Sequence, residues 1–126
     1  MPLTLLSIAI GSTLGALLRF GLAEAFNYVF PTLPLGTLAA NLLGGFLMGA
    51  AIAAFMAMPQ LPVAMRLAIA TGFLGGLTTF STFSAESFLL LQRGQFGAVA
   101  AHLAAHVLGA LGCLALGFFL VRMATR

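Results

Sequence analysis

The sequence predicts an all-α integral membrane protein with four crossings, the third of them broken, and three observations lead there. Hydrophobic residues fill 62% of the 126 positions and charged residues only 6%, with a mean hydropathy of +1.17. A water-soluble domain of this size has too little interior to hide so much apolar surface, so its solvent must be lipid. Runs of about 20 apolar residues, enough for one crossing, follow one another four times with little chain between them, so residues 1–126 read as a single transmembrane domain. The third run is the exception in chemistry, because Thr71 to Ser87 (TGFLGGLTTFSTFSAES) sets paired glycines, hydroxyls, two phenylalanines and a glutamate inside it.

The same composition excludes other classes. The formal charge of +3 comes from five arginines against Glu24 and Glu86, with no lysine, and the arginines are scattered. A nucleic-acid surface needs them clustered. Cys113 is the only cysteine, which leaves no intrachain disulfide and no cysteine-based metal site. No nucleophile and base pair is evident, so the sequence gives no support to an enzyme.

Helix one spans about Leu3 to Phe26. It lacks the basic n-region of a signal peptide and is too long for an h-region, so it reads as a retained helix. Gly11 and Gly15 give it a small-xxx-small face for close approach. Arg19 near its far end has two readings, an interfacial anchor or an attractor of anions to a vestibule. Helix two spans about Leu35 to Met58 after a Phe30 to Pro34 connection that holds two prolines, with Gly45 and Gly49 spaced as GxxxG. Asn41 is its one strongly polar interior side chain, either cross-linking helices or donating its amide hydrogens to a passing anion. Pro59, Gln60 and Pro62 form the second loop, and Arg66 marks the start of the third run, about Val63 to Gln92. That run is roughly 30 residues, longer than a straight crossing needs, and a break near Gly75 to Thr79 accounts for the excess. Arg93 and Gly94 end it. Helix four spans about Phe96 to Val121, with Ala101, Ala105, Gly109, Cys113 and Gly117 as a ridge of small residues. His102 and His106 share another face one turn apart; without a third ligand nearby in sequence, polar packing or pore lining is favoured over a metal site.

Charge bias across the bilayer is weak. Arg66, Arg122 and Arg126 fall on one side, Arg93 and Arg19 on the other, a feeble positive-inside signal. A chain with so little bias can insert both ways and pair antiparallel with itself, giving the inverted symmetry that larger transporters encode in one chain.

The broken helix carries the chemistry. Thr79, Thr82 and Glu86 fall on one helical face, beside the aromatic pair Phe80 and Phe83. A phenyl ring has a positive edge, so inward-turned edges can coordinate a small anion without the deep trap of a full positive charge, and conduction needs such moderate binding. Unwound carbonyls near Gly75 and Thr78 offer a second use, as cation ligands. Glu86 either closes the hydroxyl track or pairs with an arginine.

Arg19, the segment GTLAANLLGG with Asn41, and above all GFLGGLTTFSTFSAE resemble the small bacterial fluoride channels of the Fluc/CrcB family, over essentially the whole chain. The resemblance implies a dual-topology antiparallel homodimer in the bacterial cytoplasmic (inner) membrane, with two fluoride pores and a central structural sodium ion. By position, Phe80 and Phe83 would form the aromatic box, Asn41 would line the pore, and Arg19 would be the vestibule arginine. Ser81, Thr82, Ser84 and Glu86 would form the polar track, and the carbonyls of Gly75 and Thr78 would ligate Na+. The implied role is passive export: HF enters, dissociates, and fluoride leaves. One departure stands out, since residues 96 to 121 contain no Ser or Thr, and Ala110 and Leu114 occupy the places where the family can carry hydroxyls. Either His102 and His106 supply that polarity or helix three carries the track alone. Two rival readings fit less well. A small multidrug transporter wants an embedded carboxylate in helix one, where Glu24 sits too near the end, and a noncatalytic scaffold leaves the hydroxyl-rich break unexplained.

Overall fold

The computed structural model describes every residue from Met1 to Arg126, and the chain is entirely helical. Four stretches are long and apolar enough to cross a membrane: Pro2–Phe26, Leu35–Ala57, Val63–Gln92 and Phe96–Ala124. Leucines, phenylalanines and methionines are exposed along the outside of the bundle, the inverse of a soluble core and the arrangement that lipid solvates. This is a multi-pass membrane protein.

Helix α1 (Pro2–Phe26) starts on a proline at its first turn, where the missing N–H costs nothing. Helix α2 (Leu35–Ala57) follows Pro34, which has no capping side chain; Asn27 Oδ1 instead accepts the Thr37 N–H at 2.9 Å, serving one of the orphan donors of that terminus. At its other end, Arg66 donates through Nε to Leu61 O at 3.2 Å and through a terminal nitrogen to Met58 O and Pro59 O, each at 3.0 Å. Arg66 therefore holds the second loop together through its carbonyls. The third crossing comprises α3 (Val63–Leu67), a π-helical stretch over Ala68–Leu74, a single turn α4 (Gly75–Leu77), and α5 (Phe80–Gln92). Gly94, at φ +72°, takes the left-handed conformation that ends a helix cheaply only for glycine, and α6 (Phe96–Ala124) runs back.

Small residues fix how the crossings meet. A side chain at Gly11 or Gly15 would strike the backbone of Ala68 and Phe73, and one at Gly72 or Gly76 would strike the backbone of Ile8 and Ser12. The glycines of α1 and of the third crossing thus interlock. On the other side, Gly49 abuts the backbone of Leu114, and Gly117 that of Phe46. The GxxxG of α2 and the ridge of α6 therefore meet face to face, as small-residue interfaces in lipid do. Leu77 and Leu74 are buried at the centre, against Ala40 and Ala51.

The break lies later than the glycines suggest. Gly75 retains helical angles, and the chain leaves the helix at Thr78 (φ −87°, ψ 155°) and Thr79 (φ −147°, ψ 121°). Gly76 serves close packing against α1 rather than the break itself.

Candidate functional site

Two consecutive extended residues in mid-crossing leave backbone groups that hydrocarbon cannot satisfy, and α2 supplies the answer. Asn41 Oδ1 accepts the Thr79 N–H at 2.8 Å, and Asn41 Nδ2 donates to the Thr79 carbonyl at 3.1 Å. One amide thus pairs with the N–H and the C=O of one residue, in the two peptide units that flank it. Thr79 then acts as the N-cap of α5, its Oγ1 accepting the Thr82 N–H at 3.1 Å. On the other side, Thr78 Oγ1 donates to Leu74 O at 2.9 Å, and Arg19 Nε donates to Gly76 O at 3.0 Å. A guanidinium at the C-terminal end of a half-helix complements both its free carbonyls and its dipole.

This pairing settles a tautomer. Thr79 fixes which end of the Asn41 amide is oxygen, and the second Nδ2 hydrogen points at His106 Nδ1, 2.9 Å away. An amide nitrogen only donates, so His106 Nδ1 accepts and the neutral ring carries its proton on Nε2. That Nε2–H is buried and has no partner in the chain.

Around it sits a compact cluster. Phe83 stacks on His106 with centroids 4.5 Å apart, and His102 lies 5.2 Å from Phe83 and 4.4 Å from His106. Glu86 Oε1 is 3.4 Å from His102 Nε2. Thr37 Oγ1 donates to the other carboxylate oxygen, Oε2, at 2.7 Å, which turns Oε1 toward the histidines. Glu86 Oε1 and His102 Nε2, like His106 Nε2, are buried without a hydrogen bond, a concentration of unmet polarity that a purely structural core would not keep.

Two cavities flank the cluster. One, of about 380 Å³, is lined by Asn41, Gly75, Thr78, Phe80, Phe83 and His106 among others. The second, of about 220 Å³, lies under the first loop and is lined by Asn27, the Phe30–Pro34 segment, Glu86 and Arg93. From α6 the first cavity also receives Ala110 and Leu114, which offer it no polarity. His106 at one end and Glu86 at the other make the polar connection between the cavities.

The expected residues divide by position. Phe83 is buried at 7% exposure and faces the histidines, whereas Phe80 is 79% exposed and meets Phe83 edge-on at 5.9 Å. The two rings are therefore neighbours, but only one is interior to a single chain. Asn41 cross-links helices, with both amide hydrogens already committed. Arg19 pairs with no acid; its Nε instead reaches the break at the Gly76 carbonyl. Glu86 bonds Thr37 and faces His102, not an arginine. Thr82 and Ser84 are half-buried on α5 and Ser81 is exposed, with its hydroxyl 3.3 Å from that of Thr79. Thr79 itself stands before the helix rather than on its face. Gly75 is exposed beside the first cavity, and Thr78 forms its wall at the break. Sequence reasoning passed over Thr37 and the capping role of Thr79; Thr37, one turn before Asn41 on α2, carried the signal in its i, i+4 spacing.

The sequence matches the profile of the family described as CrcB-like protein, Camphor Resistance (CrcB), over residues 6–118. Among curated relatives, a protein of Aromatoleum aromaticum is 55% identical over 106 residues, covering 84% of this chain and 81% of the relative. One of Chromobacterium violaceum is 56% identical over 108 residues, 86% of each chain. A third, of Cupriavidus pinatubonensis, is 49% identical over 122 residues, 97% of each. All three are named fluoride-specific ion channel FluC. With the match running from α1 to the last turns of α6, through the break, its asparagine clamp and the phenylalanine pair, this chain belongs to the CrcB family.

Proposed function

We propose that this chain is a fluoride-selective channel that exports cytoplasmic fluoride passively, through two antiparallel pores of a dual-topology homodimer in the bacterial inner membrane. The observation that carries the reading is the buried His106 Nε2–H, held in that tautomer by Asn41 and Thr79 and left without a partner beside the Phe83 ring. A small anion passing Phe83 finds a neutral donor there, and ring edges add weak positive potential. Neutral donors bind without trapping, which conduction requires. Fluoride competes for such a donor better than chloride does because it is smaller and accepts stronger hydrogen bonds, so dehydrating it is offset. The imidazole thus takes the place of the hydroxyls missing from α6. The Thr82 and Ser84 hydroxyls continue the donors along α5, with Ser81 at the outer edge, and Arg19 and Arg93 lend positive potential near the two cavities.

Exposed Phe80 is the reason to invoke a second copy. A phenyl 79% exposed at the edge of the cavity that Asn41 and His106 also line becomes a pore wall once an inverted copy faces it, and each pore then takes rings from both chains. The same pairing would bring two breaks together. The carbonyl oxygens of Gly75 and Thr78 lie at the C-terminal end of the half-helix, where the extended Thr78 and Thr79 backbone interrupts the ladder; they are hard oxygen donors with a favourable dipole, the chemistry that suits Na+. Four such oxygens, two per chain, would hold a structural sodium, and conduction would fail in dimers assembled without it.

Fluoride efflux from liposomes containing the purified protein, with chloride as control, tests the reading. Fluoride leaves and chloride stays if it holds; equal rates for the two ions remove selectivity, and no efflux of either removes the channel. Cysteines placed in the first and second loops should each label from both sides of the membrane, and one-sided labelling would discard dual topology.

A further inference from the structure

We propose that Glu86, His102 and His106 form a binding site for a borderline divalent transition ion such as Zn2+ or Co2+, and that occupancy closes the connection between the two cavities. One ligand atom from each residue lies within 4.8 Å of the others. The sequence argued against a metal at the histidine pair for want of a third ligand, and folding brings Glu86 from α5 to supply it.

The donor set fits the ion. Two imidazoles and one carboxylate suit zinc and its neighbours rather than Mg2+ or Ca2+, which prefer oxygen alone. Metal–ligand bonds of about 2.0–2.1 Å place tetrahedral ligands about 3.4 Å apart. Glu86 Oε1 and His102 Nε2 already stand 3.4 Å apart, and closing the widest separation takes about 1.4 Å, within reach of small side-chain rotations. All three side chains present buried, unpartnered atoms, and the histidines are 2% and 4% exposed. Thr37 orients the carboxylate by its bond to Oε2, the kind of outer contact that metal-ligating carboxylates keep. The ion reaches the cluster from the cavity lined by Glu86.

Binding requires a defined change of tautomer. His106 must offer a lone pair on Nε2, so its proton moves to Nδ1. Nδ1–H then faces the Asn41 amide hydrogen, and the Asn41–His106 bond is lost while both Asn41–Thr79 bonds remain. No proton is gained or lost overall. The ion replaces a neutral donor with a double positive charge and an open fourth position, which holds an anion too firmly to pass.

The closure depends on the fluoride reading, whereas binding does not. Untagged protein is titrated with Co2+ in detergent, and four-coordinate Co2+ should appear by its visible d–d bands at one ion per chain, displaced by Zn2+. The chain has only two histidines, so X-ray absorption of the zinc form should find two imidazoles and one or more oxygens per metal. Zinc held by oxygens alone, or Co2+ remaining six-coordinate, overturns the site. The double variant His102→Gln, His106→Gln should lose the d–d bands, and Glu86→Gln should weaken Co2+ binding about 10- to 100-fold; the absorption result on wild-type protein decides if these variants do not fold. In liposomes, saturating Zn2+ should slow fluoride efflux at least tenfold and a chelator should restore it. Unchanged efflux at saturating Zn2+ overturns the closure, and absence of efflux without metal marks failure of the fluoride reading alone.

Discussion

Replacing Asn41 with alanine separates the clamp from the pore. Asn41→Ala removes the acceptor of the Thr79 N–H, the donor to the Thr79 carbonyl and the donor to His106 Nδ1 together. Each backbone group left unpaired costs about 1–3 kcal/mol, so two cost about 2–6 kcal/mol. Water entering the adjoining 380 Å³ cavity meets part of that need, which moves the expected loss toward the lower half, about 3 kcal/mol. For a chain of this length such a loss lowers the melting temperature by about 10 °C. The variant also frees His106 to adopt either tautomer, so the fraction presenting Nε2–H falls and fluoride efflux falls with it. Thermal unfolding in detergent and efflux from liposomes measure the two consequences. A melting temperature within about 1 °C of wild type, with efflux unchanged, would refute the clamp and the tautomer assignment built on it.

Other substitutions test neighbouring steps. Phe83→Ile removes the ring stacked at 4.5 Å on His106 and should slow fluoride efflux and reduce stability; Phe80→Ile, at an exposed position, should slow efflux with little change in the stability of the single bundle. Gly49→Ala drives a methyl into the Leu114 backbone and should destabilise by about 1–3 kcal/mol, whereas Gly97→Ala meets nothing within 4 Å and should stabilise by about 0.5–1 kcal/mol; parallel denaturation curves compare them. Thr37→Val deletes the 2.7 Å bond to Glu86 and should cost about 1.5–3 kcal/mol as a hydrogen bond to a charged group, read in the same assay, while Thr37→Ser should restore most of it.

Much of the fold was legible because lipid makes simple demands. Apolar length alone gave four crossings, and the observed bounds agree with the expected ones to within about three residues. The Gly45, Gly49 and α6 small-residue patterns serve close helix approach as their spacing implied, and only the structure shows that they pack α2 against α6. The break was legible as a zone, and the extended Thr78 and Thr79 fall inside the expected Gly75 to Thr79; within it the threonines rather than the glycines open the helix, because Gly76 is occupied with packing against Ser12 and Asn41 satisfies Thr79. The π-helical Ala68–Leu74 stretch left no mark in the sequence, since hydrogen-bond register in an apolar segment has no compositional signature. Within the site, residue types were readable but partners were not. Glu86 offered an arginine or the hydroxyl track as its neighbour, and it found Thr37 and His102 through contacts 49 and 16 positions away, which only tertiary packing decides. The Phe80 and Phe83 pair was read as a unit, and the structure divides it between an interior and an exterior face.

The central claim is that an anion passes Phe83 by taking the Nε2–H of His106. Solid-state NMR of protein with labelled histidine, in lipid, observes that proton directly: in wild type, Nε2 should be the protonated nitrogen, and added fluoride should shift its resonance and produce a proton–fluorine dipolar contact, with chloride producing neither. A ring protonated at Nδ1, or an Nε2 resonance indifferent to fluoride, would contradict the account.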